Sequence, residues 1–353
     1  MLFDDFRIRE VTLKNRIVVS PMCQYSSEDG FAGDWHLVHL GARAVGGAGL
    51  IITEATAVTA AGRISPHDLG IWKDAHVDML HRITDFLHAQ GAAAGMQLAH
   101  AGRKASTARP WEGGKPLGID QGGWRPVLAP SAIPFDAGYQ TPEAMTPDQI
   151  RDLTAAFVQA AARAARAGFD VVELHAAHGY LLHAFLSPLS NARTDQYGGS
   201  LENRSRLLRE VVAGVRGVWP ERLPLFVRIS ATDWVEGAGW DLEQSVQLSR
   251  WLKSDGVDVV VCSSGGTVAG VRIPVGPGYQ ALFAERIRRD TGIPTGAVGM
   301  ITTAEQADTI LRTGQADLAV LAREFLRDPY WALHAVPKLH AKVAPPPQYA
   351  RAF

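Results

Sequence analysis

ELHAAHGYLLHAFLSPLSNARTD, residues 173–195, follows directly on the apolar pair Val171 and Val172 and gathers His175, His178 and Tyr180 within six residues. That junction is where one architecture is told from another. Apolar and β-branched residues running up to the first histidine predict a strand over 170–175, with the remaining ring-bearing residues in the connection that leaves it. The same unit recurs along the chain. Apolar runs at 17–21, 50–56, 94–100, 170–175, 225–230, 257–262, 294–298 and 317–321 predict strands. Amphipathic stretches at 36–45, 75–89, 147–167, 201–219, 242–254, 279–289 and 304–312 predict helices between them. Strand then helix, about eight times over with strands apolar on both faces, is the pattern of an α/β fold closed into a parallel (β/α)8 TIM barrel. The alternative is an open doubly wound sheet. Such a sheet normally carries G-x-G-x-x-G after a strand, whereas VGPGYQ, beginning at Val275, has the first two glycines and lacks the third.

At 353 residues the chain lies within the range of one such barrel, and residues 1–353 are read as a single domain. Two pieces stand outside the repeat. FRIREVTLKNRI, residues 6–17, reads as a short N-terminal hairpin able to close the bottom of the barrel. The stretch 101–146, containing RPWEGGKPLGIDQGGWRP, is too long for an ordinary connection; coming after the third strand, it emerges on the face where barrel active sites sit and is read as a lid-like loop rather than a disordered one. Lysine and arginine total 35 against 36 acids, net charge −1, with no basic run of the kind that binds nucleic acid. The opening MLFDDFRIRE carries acids and no long apolar core of a signal peptide, and no apolar stretch is long enough to span a bilayer; the expectation is a cytoplasmic protein. The two cysteines, Cys23 and Cys262, form no CxxC and are read as free thiols.

If 170–175 is the fourth strand, His175 ends it at the C-terminal mouth, and His178 and Tyr180 follow in the loop, so all three can face one pocket. A single histidine would be an ordinary hydrogen-bonded residue; two with a tyrosine at one strand end favour a function. Imidazoles at this spacing can also share a metal ion. The other strand ends, however, offer Gln97, Arg228, Ser263, Gly299 and Arg323, which are donors rather than cation ligands, so no metal is expected. A donor-rich mouth suits an anionic or electron-rich cofactor.

LKNRIVVSPMCQYS, QLAHAGRK, ELHAAHGYLLHAFLSPLSNARTDQYGGSLENR and GAVGMITTAEQADTILRTGQADLAVLAREFLRDP, in this order and over almost the whole chain, resemble the Old Yellow Enzyme family of FMN-dependent ene-reductases, and more narrowly its thermophilic-like branch. The resemblance implies a flavin across the barrel mouth, with Ser20, Pro21, Met22 and Cys23 under its ring and Cys23 tuning its electronics. It implies a backbone contact from Ala57, and an amide at Gln97 matching the alternating N–H and C=O groups of the pyrimidine edge. Arg228 would lie beside the edge where negative charge collects on reduction. Gly299 and Met300 with Ala322 and Arg323 would cradle the phosphate, at the place general to barrels of this type.

On the same resemblance, His175 and His178 bind the carbonyl or nitro oxygen of an activated alkene, and Tyr180 protonates the carbon opposite the incoming hydride. Tyr25 matches a substrate-contacting tyrosine. NADPH or NADH reduces the flavin through the same pocket, so no separate dinucleotide domain is needed. The tail, 344–353, would reach a neighbouring subunit of a homodimer or homotetramer and place Arg351 in its site.

Overall fold

The apolar runs close on themselves. The computed structural model, described over residues 1–352, has strands β1 (Phe6–Ile8), β2 (Val11–Leu13), β3 (Ile17–Val19), β4 (Leu50–Ala57), β5 (Ala93–Ala99), β6 (Leu128–Ala129), β7 (Glu143–Ala144), β8 (Val171–Ala176), β9 (Leu225–Ser230), β10 (Val259–Ser263), β11 (Thr295–Val298) and β12 (Leu318–Leu321). Eight of them pair in parallel, in the order β3, β4, β5, β8, β9, β10, β11, β12, and β12 returns to β3 to complete a barrel. The helices are α1 (Asp34–Val45), α2 (Val77–Ala89), α3 (Pro147–Arg166), α4 (Leu181–Leu186), α5 (Leu201–Arg216), α6 (Leu242–Ser254), α7 (Ala281–Thr291), α8 (Ala304–Arg312), α9 (Arg323–Arg327) and α10 (Trp331–Lys338). Several begin where the sequence supplies a cap: Thr146, Ser200, Asp241 and Thr303 each accept a backbone N–H from the first turn of their helix.

Alternation along each strand sorts its side chains. In β8, Val172, Leu174 and Ala176 join the layer between sheet and helices, while Val171 faces the barrel interior with Val18, Leu50, Phe226, Val259 and Leu318. Ile8 and Leu13 of the antiparallel β1–β2 hairpin pack into that interior cluster, so the hairpin plugs the N-terminal end. Toward the other end the inward positions turn polar. Glu173, one pleat above Val171, is paired in register with Gln97, and His175, one pleat higher, with Arg228. An apolar floor beneath a polar upper interior is what positions the site.

Two differences from the sequence reading have physical causes. The first strand ends at Val19, before Pro21, which offers no N–H to a ladder. Helix α4 occupies what reads as loop: all six residues are buried, so no polar face marks its period. The 101–146 stretch, in keeping with a loop that is not disordered, carries short 3₁₀ turns, the two-residue β6–β7 pair, and an apolar root of Ala101, Ala105 and Val127 packed with Ile64, Trp124 and Tyr180.

Candidate active site

Three rings meet at the end of β8. The His175 ring lies 5.1 Å from that of His178 and 5.0 Å from that of Tyr180, both edge to face, so the residues grouped in the sequence form one cluster. His178 takes a left-handed backbone (φ 59°). Its N–H donates to Ser230 Oγ at 2.9 Å, and its Nε2 sits 2.7 Å from Ser263 Oγ, at the end of β10. Burial, with Arg228 next, holds both imidazoles well below the usual histidine range, so each is neutral and keeps one N–H. Burial pushes the Tyr180 phenol well above its ordinary value, which keeps its proton in place.

Below the rings, Arg228 donates to Ser20 Oγ at 2.8 Å and Gln97 donates to Glu173 Oε1 at 2.7 Å. His175 Nδ1, Arg228 Nε and Glu173 Oε2 are buried without a partner in the chain. Three unsatisfied polar atoms in one barrel end are costly unless a bound polar group meets them. Burial raises Glu173 to about 7 against the opposing pulls of Arg228 and Gln97. From Arg228 and Ser263 a cavity of about 250 Å³ runs outward past Gly299, Met300, Ala322 and Arg323. The four residues expected at a phosphate therefore line one space with Arg228. At Gly299 (φ 128°) a side chain meets resistance from the backbone angle and from Gln280 Nε2, which would lie 2.8 Å from a Cβ and is tied to the Val298 carbonyl. A donor-lined cavity, with unmet polar groups at its inner end and an arginine at its outer end, is chemically matched to FMN.

The SPMC segment leaves β3 toward the same mouth. The Cys23 thiol is raised well above its ordinary value by burial and then by Asp68 and Glu54, and it hydrogen-bonds the Tyr25 hydroxyl. Gln24 N–H donates to Glu54 Oε2 at 2.9 Å, and Glu54 in turn pairs with buried His36 at 3.2 Å, which holds this loop from behind. The Tyr25 ring meets Trp111 of the 101–146 segment edge to face at 5.8 Å. Ala57 stands somewhat apart: its N–H donates to Leu69 O and its carbonyl accepts from Ile71 N, so only the carbonyl's second lone pair is open to a ligand. Arg351 is exposed in the tail, and Val343 with residues 344–348 of that tail lines a cavity with Lys14, Asn15 and Gly47, which precede β3 and β4 at the barrel end away from the rings. Phe353, the last residue of the expected 344–353 tail, lies outside the described residues.

Two side chains escaped the sequence reading. Glu173 shares the inward face of β8 with His175, which the two-residue period of a strand would have shown. Lys104, at the end of QLAHAGRK, donates to His178 O at 2.9 Å and Gly266 O at 3.1 Å and lies 5.4 Å from the Tyr180 ring centre. Burial, then Arg103, lowers it to about 8. Among the described residues, no three His, Cys, Asp or Glu side chains are grouped to hold a metal ion, and no helix is long and apolar enough to cross a membrane.

Residues 1–341 match the NADH:flavin oxidoreductase / NADH oxidase family. An NADPH dehydrogenase of Halalkalibacterium halodurans is 51% identical over 354 residues, covering 100% of this chain and 98% of that one. Among solved structures, the old yellow enzyme homologue from Zymomonas mobilis superposes with a TM-score of 0.77 at 29% identity, over 97% of this chain and 93% of its own. A 2-naphthoyl-CoA reductase superposes with a TM-score of 0.84 at 26% identity over 96% of this chain, which spans 51% of that longer protein.

Proposed function

We propose, for a chain that belongs to the NADH:flavin oxidoreductase / NADH oxidase family and is an FMN-dependent NAD(P)H oxidoreductase of the Old Yellow Enzyme type, that the reaction it performs is reduction of the activated C=C bond of α,β-unsaturated carbonyl or nitro compounds. The observation that carries this reading is the meeting of two neutral imidazoles and a protonated phenol in one cluster at the end of β8. Bound FMN would supply hydride transfer between NAD(P)H and the alkene. The chain supplies everything else. Gln97 and Arg228 meet the polar edge of the ring, Ser20 to Cys23 support it, and Gly299, Met300, Ala322 and Arg323 hold the phosphate. The guanidinium of Arg228 stabilises negative charge gathered beside it.

His175 and His178 hold the substrate's carbonyl or nitro oxygen, and their N–H groups stabilise the charge that builds there as the β carbon is reduced. Loss of one such donor costs about 10²–10³ in rate in well-studied oxyanion sites. Tyr180 then gives its proton to the α carbon. Its raised pKa makes it a reservoir that stays filled at neutral pH. Tyr25 borders the substrate space, and a cysteine at position 23, hydrogen-bonded to Tyr25, is what supports the assignment to the thermophilic-like branch.

The test is Tyr180→Phe followed in separate half-reactions. Flavin reduction by NADPH should persist, while reoxidation by an enone such as 2-cyclohexenone should slow by about 10²-fold or more, the range of a positioned acid. Equal reoxidation rates in the two proteins would remove Tyr180 as the donor. We propose further that the protein is a cytoplasmic homo-oligomer in which Arg351 enters a neighbour's site. The tail's start at the barrel end away from the rings supports action between subunits rather than within one. Truncation after Gln348 should impair both association and turnover; a shortened protein normal in both would refute it.

A further inference from the structure

The turn that aims the rings is held from behind. His178 and Gly179 both adopt left-handed backbone, with φ of 59° and 74°. The first is a strained conformation for a residue with a side chain. The second admits only glycine, because a Cβ there would run into the Gly266 carbonyl. Such a turn persists only where its surroundings dictate it. Here side chains from elsewhere take three of its peptide groups: Ser230 Oγ accepts the His178 N–H, Lys104 Nζ donates to the His178 carbonyl, and the Gly179 N–H donates to His183 Nδ1 at 2.9 Å.

The last of these has the deepest support. Since Gly179 donates into Nδ1, that nitrogen carries no hydrogen and the ring's proton is on Nε2. Nε2 faces Asp233 Oδ1 at 3.3 Å, and both side chains are wholly buried. Thr267 Oγ donates to Asp233 Oδ1 at 2.6 Å and lies 3.1 and 3.3 Å from the two ring nitrogens. Ser187 Oγ, at 2.6 Å, and Trp240 N, at 2.9 Å, donate to Oδ2. The Thr267 carbonyl in turn accepts from Arg103. The loops after β8, β9 and β10 are thus keyed together by one imidazole–carboxylate pair that lies beneath the pocket.

We propose that His183, fixed in its Nε2–H form by Asp233 and Thr267, is a positioning residue that sets the Gly179 peptide and so the direction in which His178 and Tyr180 face the substrate. The proposal rests on the alkene-reducing role assigned to that pocket. Without the Nδ1 acceptor, a buried peptide N–H has no partner and the turn relaxes toward ordinary backbone. The two flanking rings swing with it. Proton delivery from Tyr180 is the more sensitive to this, because a displacement near 1 Å can cost about 10²-fold where reacting groups must align.

The experiment compares His183→Leu, which keeps bulk and removes the acceptor, with His183→Asn, whose amide oxygen can accept from Gly179. Both are read in FMN-loaded protein by enone reoxidation, by flavin reduction with NADPH, and by the affinity for 4-hydroxybenzaldehyde followed in the flavin spectrum. In His183→Leu, reoxidation should fall about 30- to 100-fold, flavin reduction should fall less, and the phenol Kd should rise about tenfold. His183→Asn should recover most of both losses. If the two variants behave alike, or if His183→Leu stays within twofold of the parent, His183 merely packs and the proposal is wrong. Should His183→Leu fail to fold, Thr267→Val decides: a phenol Kd raised about three- to tenfold supports the clamp, and an unchanged one overturns it. A parent protein that binds the phenol yet reduces no enone would defeat the assigned reaction while leaving the clamp to be judged on phenol affinity.

Discussion

Glu173→Gln should make the flavin-stripped protein more stable at alkaline pH and should do so in a pH window set by one buried carboxyl. Burial raises that carboxyl from 4.5 to about 7, against the partial relief of Arg228 and the hydrogen bond from Gln97. Below pH 4.5 both the folded and unfolded chains hold the proton and nothing is lost. Between 4.5 and 7 the unfolded chain has released a proton that the folded one retains, so stability falls as pH rises; above 7 the whole penalty applies. At about 1.4 kcal/mol for each tenfold change in acidity, the full penalty is about 3 kcal/mol, and about 2.5 kcal/mol of it develops between pH 5 and pH 8.5. Glutamine can still accept from Gln97 but cannot ionise. Any cost of its unmet N–H group is the same at both pH values and cancels in the difference.

The assay is urea unfolding of both proteins at pH 5 and pH 8.5. The advantage of Glu173→Gln should grow by about 2.5 kcal/mol, or on the order of 3 °C in melting temperature for a chain of this length. A change under about 0.5 kcal/mol would mean that Glu173 ionises in the folded barrel at little cost, and the reasoning about its isolation would fail. The same chemistry bears on function. A Glu173 that keeps its proton leaves the Arg228 charge uncompensated, facing whatever anionic edge the cofactor presents.

Lys104, lowered to about 8 by burial and Arg103, holds its proton less tightly than in the unfolded chain, where 10.5 is expected; stability should therefore gain with pH between 8 and 10.5, and Lys104→Met should abolish that gain in alkaline unfolding curves. A wild-type curve as flat as the variant's would contradict it. Gly299→Ala, which forces a side chain against Gln280 at a backbone angle that alanine resists, should weaken FMN binding at least about tenfold in a fluorescence titration, with the fold intact by circular dichroism. Leu13→Ala, in the hairpin that plugs the barrel floor, should cost about 2–5 kcal/mol of stability and leave kcat near the parental value at 25 °C; a large fall in kcat would show that the floor and the mouth are coupled.

Much of this molecule is written locally. The continuous apolar runs around Val171, Phe226 and Val259 determine strands with two apolar faces, and Thr146, Ser200, Asp241 and Thr303 mark where helices start, because an apolar run and a cap involve residues only a few positions apart. The grouping of His175, His178 and Tyr180 is equally local, as one strand end and its turn carry all three. Helix α4 escaped because a wholly buried helix has no polar face to reveal its period.

What required the closed barrel was every relation between distant segments. Glu173 meets Gln97 and approaches Arg228 only through the register of β5, β8 and β9; the cavity joining Arg228 to Arg323 exists only once β9, β10, β11 and β12 are paired side by side; His183 finds Asp233, fifty positions away, only when their loops are stacked on one rim. Spacing along the chain determines which way a side chain points relative to its neighbours. Burial, missing partners and shifted acidities arise from what packs against it, and tertiary closure alone decides that.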